Sequence, residues 1–333
     1  MTNDTEFKAW RVQEQDGEYI GSEQTLHVSD LPENDVLIRV SHSSLNYKDA
    51  LSASGNKGVT RNFPHTPGID AAGEVVEASA GPFSPGDKVL VTGYDLGMNT
   101  DGGFGEYIRV PAGWCVSMPR GWEARTAMIY GTAGLTAGLC VQKLLTMGAA
   151  PEQGKVAVSG ASGAVGSVAV ELLANLGFEV VAISGKQDHA DALKHLGASE
   201  VLGRDALAAE KKPMLKPAFA NAVDTVGGGP LAELLKQIHP GGSVSCCGLV
   251  AGPQLETTVL PFILRGNNLL GVDSVEIPLA EKQAVWDKFS GDWACKKTEA
   301  SARDIGRGEL DGALKAFLKG ESAGKIVLDH SRQ

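Results

Sequence analysis

The segment from residue 155 to 166 constrains the fold more than any other part of the chain. It reads KVAVSGASGAVG, an apolar run followed by glycines at three-residue intervals, Gly160, Gly163 and Gly166. Apolar residues then recur on one face of a predicted helix, and a second apolar run at 178–183 predicts the next strand. Glycine lets a turn approach a pyrophosphate closely, and a helix start offers N–H groups and the positive end of its dipole. This order predicts a dinucleotide site, with a strand–helix corner that binds nothing as the alternative.

The pattern of the chain changes near Met128. Before this residue, short predicted strands alternate with glycine and proline turns, and one short helix is predicted within 43–51. After it, helices alternate with further predicted strands, at 200–202, 222–226, 243–247 and 268–272. Such alternation predicts an α/β fold with a doubly wound parallel sheet. The end of the chain returns to a mixed pattern, so we expect the nucleotide domain to be inserted within a discontinuous second domain.

Composition and charge narrow the class of protein. The 333 residues carry a formal net charge of −10, which leaves no basic surplus for binding nucleic acid. Residues 1–6 are polar and acidic, unlike a secretion signal, and the apolar run at 127–141 is too short and glycine-rich to span a bilayer. The five cysteines form no C-x-x-C pair. We therefore expect a cytoplasmic protein with reduced thiols and with neither nucleic acid nor membrane as a partner.

The end of the second predicted strand distinguishes the two nicotinamide dinucleotides. An NAD site usually has Asp or Glu there, whereas this chain has Ser184, Gly185 and Lys186. Arg204 follows the third strand, and its guanidinium matches phosphate oxygens in a bidentate way. The nearest carboxylate, Asp188, is predicted to be a helix N-cap instead. These residues favour NADPH, and the alternative is that Lys186 and Arg204 are ordinary surface charges.

Ordered motifs along nearly the whole chain resemble those of one family. They are SSLNYKDA at 43–50, RNFP at 61–64, PGID at 67–70, GTAG at 131–134, the glycine turn, SGK at 184–186, PFILR at 261–265 and GVDS at 271–274. The chain resembles the medium-chain dehydrogenases/reductases of the quinone-oxidoreductase type, and more narrowly the NADPH-dependent acrylyl-CoA reductases. The resemblance implies a GroES-like β-barrel catalytic domain (1–127 and 275–333) interrupted by a Rossmann NADPH-binding domain (128–274). It also implies a homodimer joined at 269–272.

The resemblance also implies where NADPH is held. Tyr47 is expected near the nicotinamide, and Ser162, Gly163, Ala164 and Val165 at the pyrophosphate. The added 2′-phosphate is expected at Ser184, Gly185, Lys186 and Arg204. The rest of the site is expected to be lined by Leu249, Ile263 and Ser274. Where close relatives have Arg, this chain has Lys186, which keeps the positive charge but lacks the bidentate geometry of a guanidinium.

The sequence lacks the ligands that zinc-dependent members of this family use. Those enzymes read Gly-His-Glu where this chain reads Gly68-Ile69-Asp70, no cysteine cluster lies near 93–103, and the seven histidines are scattered. Asp70 is interpreted as structural, with a catalytic role as the alternative. Without a Lewis acid, an activated C=C bond is an easier substrate than a simple ketone, because a thioester or quinone carbonyl absorbs the developing charge.

These observations predict a zinc-independent NADPH-dependent reductase of a small-molecule substrate. Tyr47 is the predicted enolate stabiliser or proton donor, with Asn46 and Asp49 as neighbours that orient it. The alternative for Tyr47 is an aromatic wall, with solvent supplying the proton. Reduction of acrylyl-CoA to propionyl-CoA is the leading hypothesis, with Lys57 and Arg61 as candidates to meet CoA phosphates. An NADPH:quinone oxidoreductase and a non-enzymatic NADPH-binding protein are the alternatives.

Overall fold

The computed structural model describes residues 5–332, apart from the side chain of Gln187. Residues 1–4 and 333, which belong to the predicted catalytic-domain segments, lie outside the described residues. The chain forms two compact units. Unit 1 contains the described residues up to Thr132, with Val275–Ser290 and the residues from Ser301 onward; unit 2 contains Ala133–Ser274 and Gly291–Ala300. The predicted domain limits stay a prediction.

Both units combine strands with helices. The strands are β1 (Glu6–Gln15), β2 (Glu18–His27), β3 (Val36–Ser44), β4 (Asp70–Ala78), β5 (Lys88–Thr92), β6 (Tyr107–Val110), β7 (Cys115–Ser117), β8 (Val156–Ser159), β9 (Val180–Ile183), β10 (Glu200–Leu202), β11 (Asn221–Asp224), β12 (Ser243–Cys246), β13 (Asn268–Gly271), β14 (Arg303–Ile305) and β15 (Ile326–Asp329). The helices are α1 (Tyr47–Ala53), α2 (Ala124–Thr146), α3 (Ala164–Asn175), α4 (Ala190–Leu196), α5 (Gly228–Leu235), α6 (Leu260–Arg265), α7 (Leu279–Phe289), α8 (Lys296–Ser301) and α9 (Leu310–Leu318). Within residues 5–332, no helix combines the length and apolar character that crossing a membrane requires.

Unit 1 is built on a sheet in the order β14-β15-β3-β4-β5-β7, with β6 also paired to β3. β6 and β15 pair with the same edge of β3 at different places. β6 pairs with Val36–Arg39, and β15 pairs with the C-terminal end of β3. Apolar side chains of β3, β4, β5 and β6 form one buried core. A second core joins Leu45, which precedes α1, and Ala50 of α1 to Leu310 and Leu314 of α9. This second core fixes α1 on the sheet.

An antiparallel hairpin of β1 and β2, which was not predicted from the sequence, precedes this sheet. Its two-residue turn is Asp16-Gly17, and both residues have positive φ, 53° and 84°. Asp-Gly is a strong signal for a hairpin turn of this type, because the right-handed strand twist demands positive φ at both positions.

Unit 2 contains a parallel sheet in the order β10-β9-β8-β11-β12-β13. The prediction of a doubly wound parallel sheet is confirmed. The chain order reverses between β8 and β11, which is the topological switch point where such sheets bind ligands. Because the strands are parallel, the turns that follow them all lie at one carboxyl edge.

One helix prediction needs correction. The helix that Asp188 was predicted to cap begins at Ala190, after a tight turn over Gln187–His189, and its N-cap is His189. The apolar run at 127–141 lies inside the longer α2, which is interrupted at Gly131, where φ is 49° and ψ is −158°. Only glycine adopts this backbone conformation readily.

Candidate functional site

The glycine turn of unit 2 joins β8 to α3 in the way that a phosphate site requires. Gly160 has φ of 61°, and Gly163 is the N-cap of α3. A Cβ at Gly166 would lie 2.7 Å from Ala161 Cα, so glycine lets the helix pack closely on the turn. Ser162 lies within the turn, and Ala164 and Val165 form the first turn of α3. The first N–H groups of a helix have no partner within the helix, so this end attracts anions.

A polar cluster forms beside this turn, at the ends of β9 and β10. The Ser184 hydroxyl donates to Ser162 Oγ at 2.9 Å and accepts from the Lys186 amide at 3.1 Å. The guanidinium of Arg204 lies over Gly185, in the space that a Cβ at Gly185 would occupy. The structure therefore brings together the four residues predicted for the 2′-phosphate and joins them to Ser162.

The remaining predicted cofactor residues of unit 2 lie on the other half of the sheet. Leu249 follows β12 and is 60% exposed, and Ile263 lies on α6 and is 69% exposed. Ser274 follows β13, is buried, and accepts a hydrogen bond from Thr136 Oγ1 at 2.7 Å. Leu249 and Ser274 therefore share the carboxyl edge with the Ser184 cluster but lie across the switch point from it. Their role toward a cofactor stays a prediction.

Asp224 braces the switch point, and sequence reasoning missed it. Its carboxylate accepts from Ser159 Oγ at 2.6 Å and from the Gly227 amide at 2.8 Å. Burial raises the pKa of Asp224 above its ordinary value. A buried Asp that ends an apolar strand was the available signal, because such a carboxylate needs donors. Asp224 ties the ends of β8 and β11 together.

Tyr47 of unit 1 is the first residue of α1, and its side chain is 38% exposed. The preceding residue, Asn46, is fixed on two sides. Its amide N–H donates to Asp49 Oδ2 at 2.8 Å, and its Nδ2 donates to Asp70 Oδ2 at 2.8 Å. Asp49 also accepts from the Ile69 amide at 2.8 Å. The predicted neighbours Asn46 and Asp49 therefore hold the backbone from which Tyr47 projects.

Asp70 is the centre of a buried hydrogen-bond network. Its Oδ2 accepts from Ser44 Oγ, from Asn46 and from the Thr132 amide at 2.9 Å, and its Oδ1 accepts from Thr132 Oγ1 at 2.6 Å. A Cβ at Gly131 would lie 2.5 Å from Ser44 Oγ and 2.6 Å from Asp70 Oδ2. Because Gly131 has no Cβ, the hydrogen-bond network around Asp70 has the space that it needs. The network explains why Asp70 is buried, as the structural interpretation requires.

Asp49 makes the stability of the protein depend on pH. Burial, and then the charge of Asp70, raise the pKa of Asp49 from 3.8 to about 7. Between these values the folded protein keeps a proton that the unfolded chain has released, so the contribution of Asp49 to the free energy of unfolding falls as pH rises. We expect Asp49→Asn to remove this part of the slope, measured by urea unfolding at a series of pH values. If the free energy of unfolding changed with pH in the same way in the wild type and in Asp49→Asn, the raised pKa of Asp49 would be contradicted.

Lys57 already has partners within unit 1. Its ammonium lies 3.3 Å from Glu14 Oε2 and 4.8 Å from the centre of the Phe63 ring. Arg61 contributes its carbonyl oxygen to Lys57, at 3.4 Å. The role of both residues toward CoA phosphates stays a prediction.

Comparison with known proteins matches both halves of the chain to dehydrogenases. The family model "Alcohol dehydrogenase GroES-like domain" matches residues 32–120, and "Zinc-binding dehydrogenase" matches 164–290. "Probable acrylyl-CoA reductase AcuI" of Escherichia coli is 45% identical over 97% of this chain and 99% of the relative. The chain belongs to the medium-chain dehydrogenase/reductase family. This membership confirms the predicted family and the combination of a GroES-like domain with a Rossmann sheet.

Two further members of the medium-chain dehydrogenase/reductase family are similarly close in sequence. "Acrylyl-CoA reductase AcuI" of Ruegeria pomeroyi is 42% identical over 95% of this chain and 96% of the relative. "Putative quinone oxidoreductase YhfP" of Bacillus subtilis is 43% identical over 92% of this chain and 93% of the relative. The two names differ in the electron acceptor.

Solved structures of other family members match this fold closely. Escherichia coli YhdH with bound NADPH has a TM-score of 0.93 and 46% identity, over 96% of this chain and 99% of that chain. Bacillus subtilis YhfP with bound NAD has a TM-score of 0.94 and 41% identity, over 98% of this chain and 100% of that chain.

The name of the second family model raises the question whether this medium-chain dehydrogenase/reductase fits a zinc ion. A catalytic zinc takes three protein ligands, usually from Cys, His and carboxylates. Across the described residues, no three His, Cys, Asp or Glu side chains are grouped so that they could hold a metal. Asp70, in the segment that the zinc enzymes use, already accepts hydrogen bonds from Ser44, Asn46 and Thr132. This donor set does not fit a zinc ion.

Proposed function

We propose that this chain is an NADPH-dependent reductase that acts on the activated C=C bond of a 2-enoyl thioester, converting acrylyl-CoA to propionyl-CoA. The observation that carries the proposal is the 42–45% identity, over nearly the full length, to two proteins named as acrylyl-CoA reductases. Fold alone would not support a substrate, because one fold hosts many activities. Because the identity to these two proteins extends across both units, it supports the same kind of site in this chain as in them.

The residues at the carboxyl edge of unit 2 fit NADPH. The glycine turn and the start of α3 would hold the pyrophosphate, and Ser184, Lys186 and Arg204 would hold the 2′-phosphate. Leu249, Ile263 and Ser274 would line the remaining length, with Tyr47 near the nicotinamide. When bound, the cofactor supplies a hydride. A cluster that carries a lysine and an arginine but no carboxylate at the end of β9 favours the phosphorylated dinucleotide.

We propose that the reaction proceeds without zinc, because the donor set around Asp70 offers no metal site. Reduction of the C=C bond places negative charge on the thioester carbonyl oxygen, and an enolate forms that later takes a proton at the α carbon. The role of the chain is then to orient the thioester, to donate a hydrogen bond to the enolate oxygen and to deliver the proton. Tyr47 is the proposed donor, because a phenol O–H can donate both a hydrogen bond and a proton.

Replacement of Tyr47 by Phe tests this role. We expect Tyr47→Phe to lower kcat by about 100-fold or more, a usual contribution of a general acid, while the Kd for NADPH is unchanged. Tyr19→Phe is the matched control, because the Tyr19 ring packs on Phe63 within the same unit and should be dispensable for turnover. Full kcat in Tyr47→Phe would assign proton delivery to solvent.

A quinone oxidoreductase is the second candidate, and the name of the Bacillus subtilis relative favours it. A quinone also absorbs charge on its oxygens, so the same fold serves both reactions. The product of the reaction separates the candidates. The purified protein is incubated with acrylyl-CoA and NADPH deuterated at C4, and the thioesters are analysed by mass spectrometry. We expect propionyl-CoA with deuterium at the β carbon, and absence of this product would refute the proposal.

We also propose a cytoplasmic homodimer. β13 is the last strand of its sheet, and the nearby α6 region exposes Val259 and Leu264, at 63% and 66%. Five free cysteines suit a reducing compartment. Analytical ultracentrifugation should give twice the chain mass, and Leu264→Asp should shift the protein toward the monomer.

A further inference from the structure

Lys325 is an unusual residue in unit 1, because its charged end is buried without a hydrogen bond. The residue is 3% exposed, and Nζ has no hydrogen-bond partner among the described residues. Burying an ammonium is unfavourable unless opposite charge lies close to it. A buried and unpartnered ammonium therefore calls for an explanation from its surroundings.

The chain places Lys325 beside the start of α1. It directly precedes β15, and the Leu45 amide donates to the Ile326 carbonyl at 3.1 Å. The next residue after Leu45 is Asn46, which donates to Asp49 and to Asp70. The two carboxylates that act on Lys325 come from different elements, Asp49 from α1 and Asp70 from β4.

We infer that Lys325 is a positioning residue for the reduction: its ammonium balances the carboxylates of Asp49 and Asp70, which hold Asn46, and so fixes the backbone that carries Tyr47. The inference rests on the proposed function. Asp49, Asp70 and Lys325 are called the buried charge cluster below.

The balance of charge follows from the environment of each group. Burial lowers the pKa of Lys325 from 10.5 to about 8, while the charges of Asp70 and then Asp49 favour its protonated form. Two carboxylates that share a dry site repel each other, so without the ammonium one of them must take up a proton or move. Either change alters a hydrogen bond to Asn46. Tyr47 is the next residue, so a small shift there misplaces the phenol.

Substitution of Lys325 tests the inference by activity and by stability. With acrylyl-CoA we expect Lys325→Met to lower kcat by about 10- to 100-fold, the effect of a small displacement of a reacting group. The Kd for NADPH should not change, because the phosphate-binding residues lie in unit 2. The loss of a positive charge should also raise the pKa of Asp49. The pH range over which the free energy of unfolding, measured with urea, falls with rising pH should therefore extend to higher pH. Lys325→Arg keeps the charge and, below pH 8, should keep the wild-type pH dependence of kcat and of unfolding.

The control is Lys315→Met, which removes an exposed lysine from α9 and should resemble the wild type. A Lys325→Met protein with wild-type kcat and an unshifted unfolding profile would overturn the inference, as would an equal loss in Lys315→Met. If Lys325→Met does not fold, Asp49→Asn/Lys325→Met removes one charge of each sign and should fold; failure of this double variant also overturns the inference. Absence of wild-type turnover would instead refute the proposed function, and the unfolding profiles would still decide whether Lys325 balances the cluster.

Discussion

Replacement of both Lys186 and Arg204 by Ala is expected to raise the KM for NADPH by about 100-fold or more, because each lost charge-assisted hydrogen bond costs roughly 1.5–3 kcal/mol. The KM for NADH should change little, since NADH has no 2′-phosphate. The physical basis is the cluster at the ends of β9 and β10, where the Arg204 guanidinium lies over Gly185 and Ser184 is linked to Ser162. Steady-state kinetics with both cofactors measure the effect.

Two further variants make this expectation specific. Gly185→Ala should also raise the KM for NADPH, because its Cβ would occupy the space of the Arg204 guanidinium. Lys194→Ala is the control, since this exposed lysine lies near the C-terminal end of α4 and so away from the carboxyl edge of the sheet. An unchanged preference for NADPH in the Lys186/Arg204 double variant would show that the 2′-phosphate is held elsewhere.

Replacement of Gly131 by Ala is expected to lower the free energy of unfolding by about 3 kcal/mol or more, from backbone strain together with overpacking. The φ of 49° suits glycine, and the new Cβ would lie 2.5 Å from Ser44 Oγ and 2.6 Å from Asp70 Oδ2. The hydrogen bonds that fix Asp70 would have to break or move. Urea denaturation followed by tryptophan fluorescence measures the loss.

A second glycine of unit 1, Gly121, serves to separate the effect of backbone strain from the effect of crowding by the new Cβ. Gly121 has φ of 81°, and a Cβ there would have no heavy atom within 4 Å. Gly121→Ala should therefore cost only the strain, about 1 kcal/mol. Equal losses in the two variants would mean that the space beside Asp70 is not needed.

Local physics explains which features the sequence predicted well. The glycine turn, the helix after it and the polar end of β9 follow from residues that are close along the chain, and the structure places them as expected. The ends of elements were predicted less accurately, because α4 begins after a tight turn that has no distinct sequence signature. The hairpin turn at Asp16-Gly17 was predictable from its dipeptide alone.

The buried charge cluster was beyond sequence reasoning because its members meet only through the fold. Asp70 receives hydrogen bonds from Ser44 and Thr132, which are 26 and 62 residues away along the chain. Lys325 in the sequence looks like the polar flank of a strand, and only the pairing of β15 with β3 brings it to α1. Asn46 and Asp49 were predicted as neighbours of Tyr47. Asp70, whose carboxylate accepts a hydrogen bond from Asn46, was interpreted only as structural.

The most direct test of the proposed reaction compares two electron acceptors in one protein preparation. NADPH oxidation is followed with acrylyl-CoA and with 1,4-benzoquinone, and kcat/KM is determined for each. We predict a kcat/KM for acrylyl-CoA at least about tenfold higher, a difference of roughly 1.4 kcal/mol in transition-state stabilisation. A higher kcat/KM for the quinone, or binding of NADPH without turnover of either acceptor, would contradict the proposal.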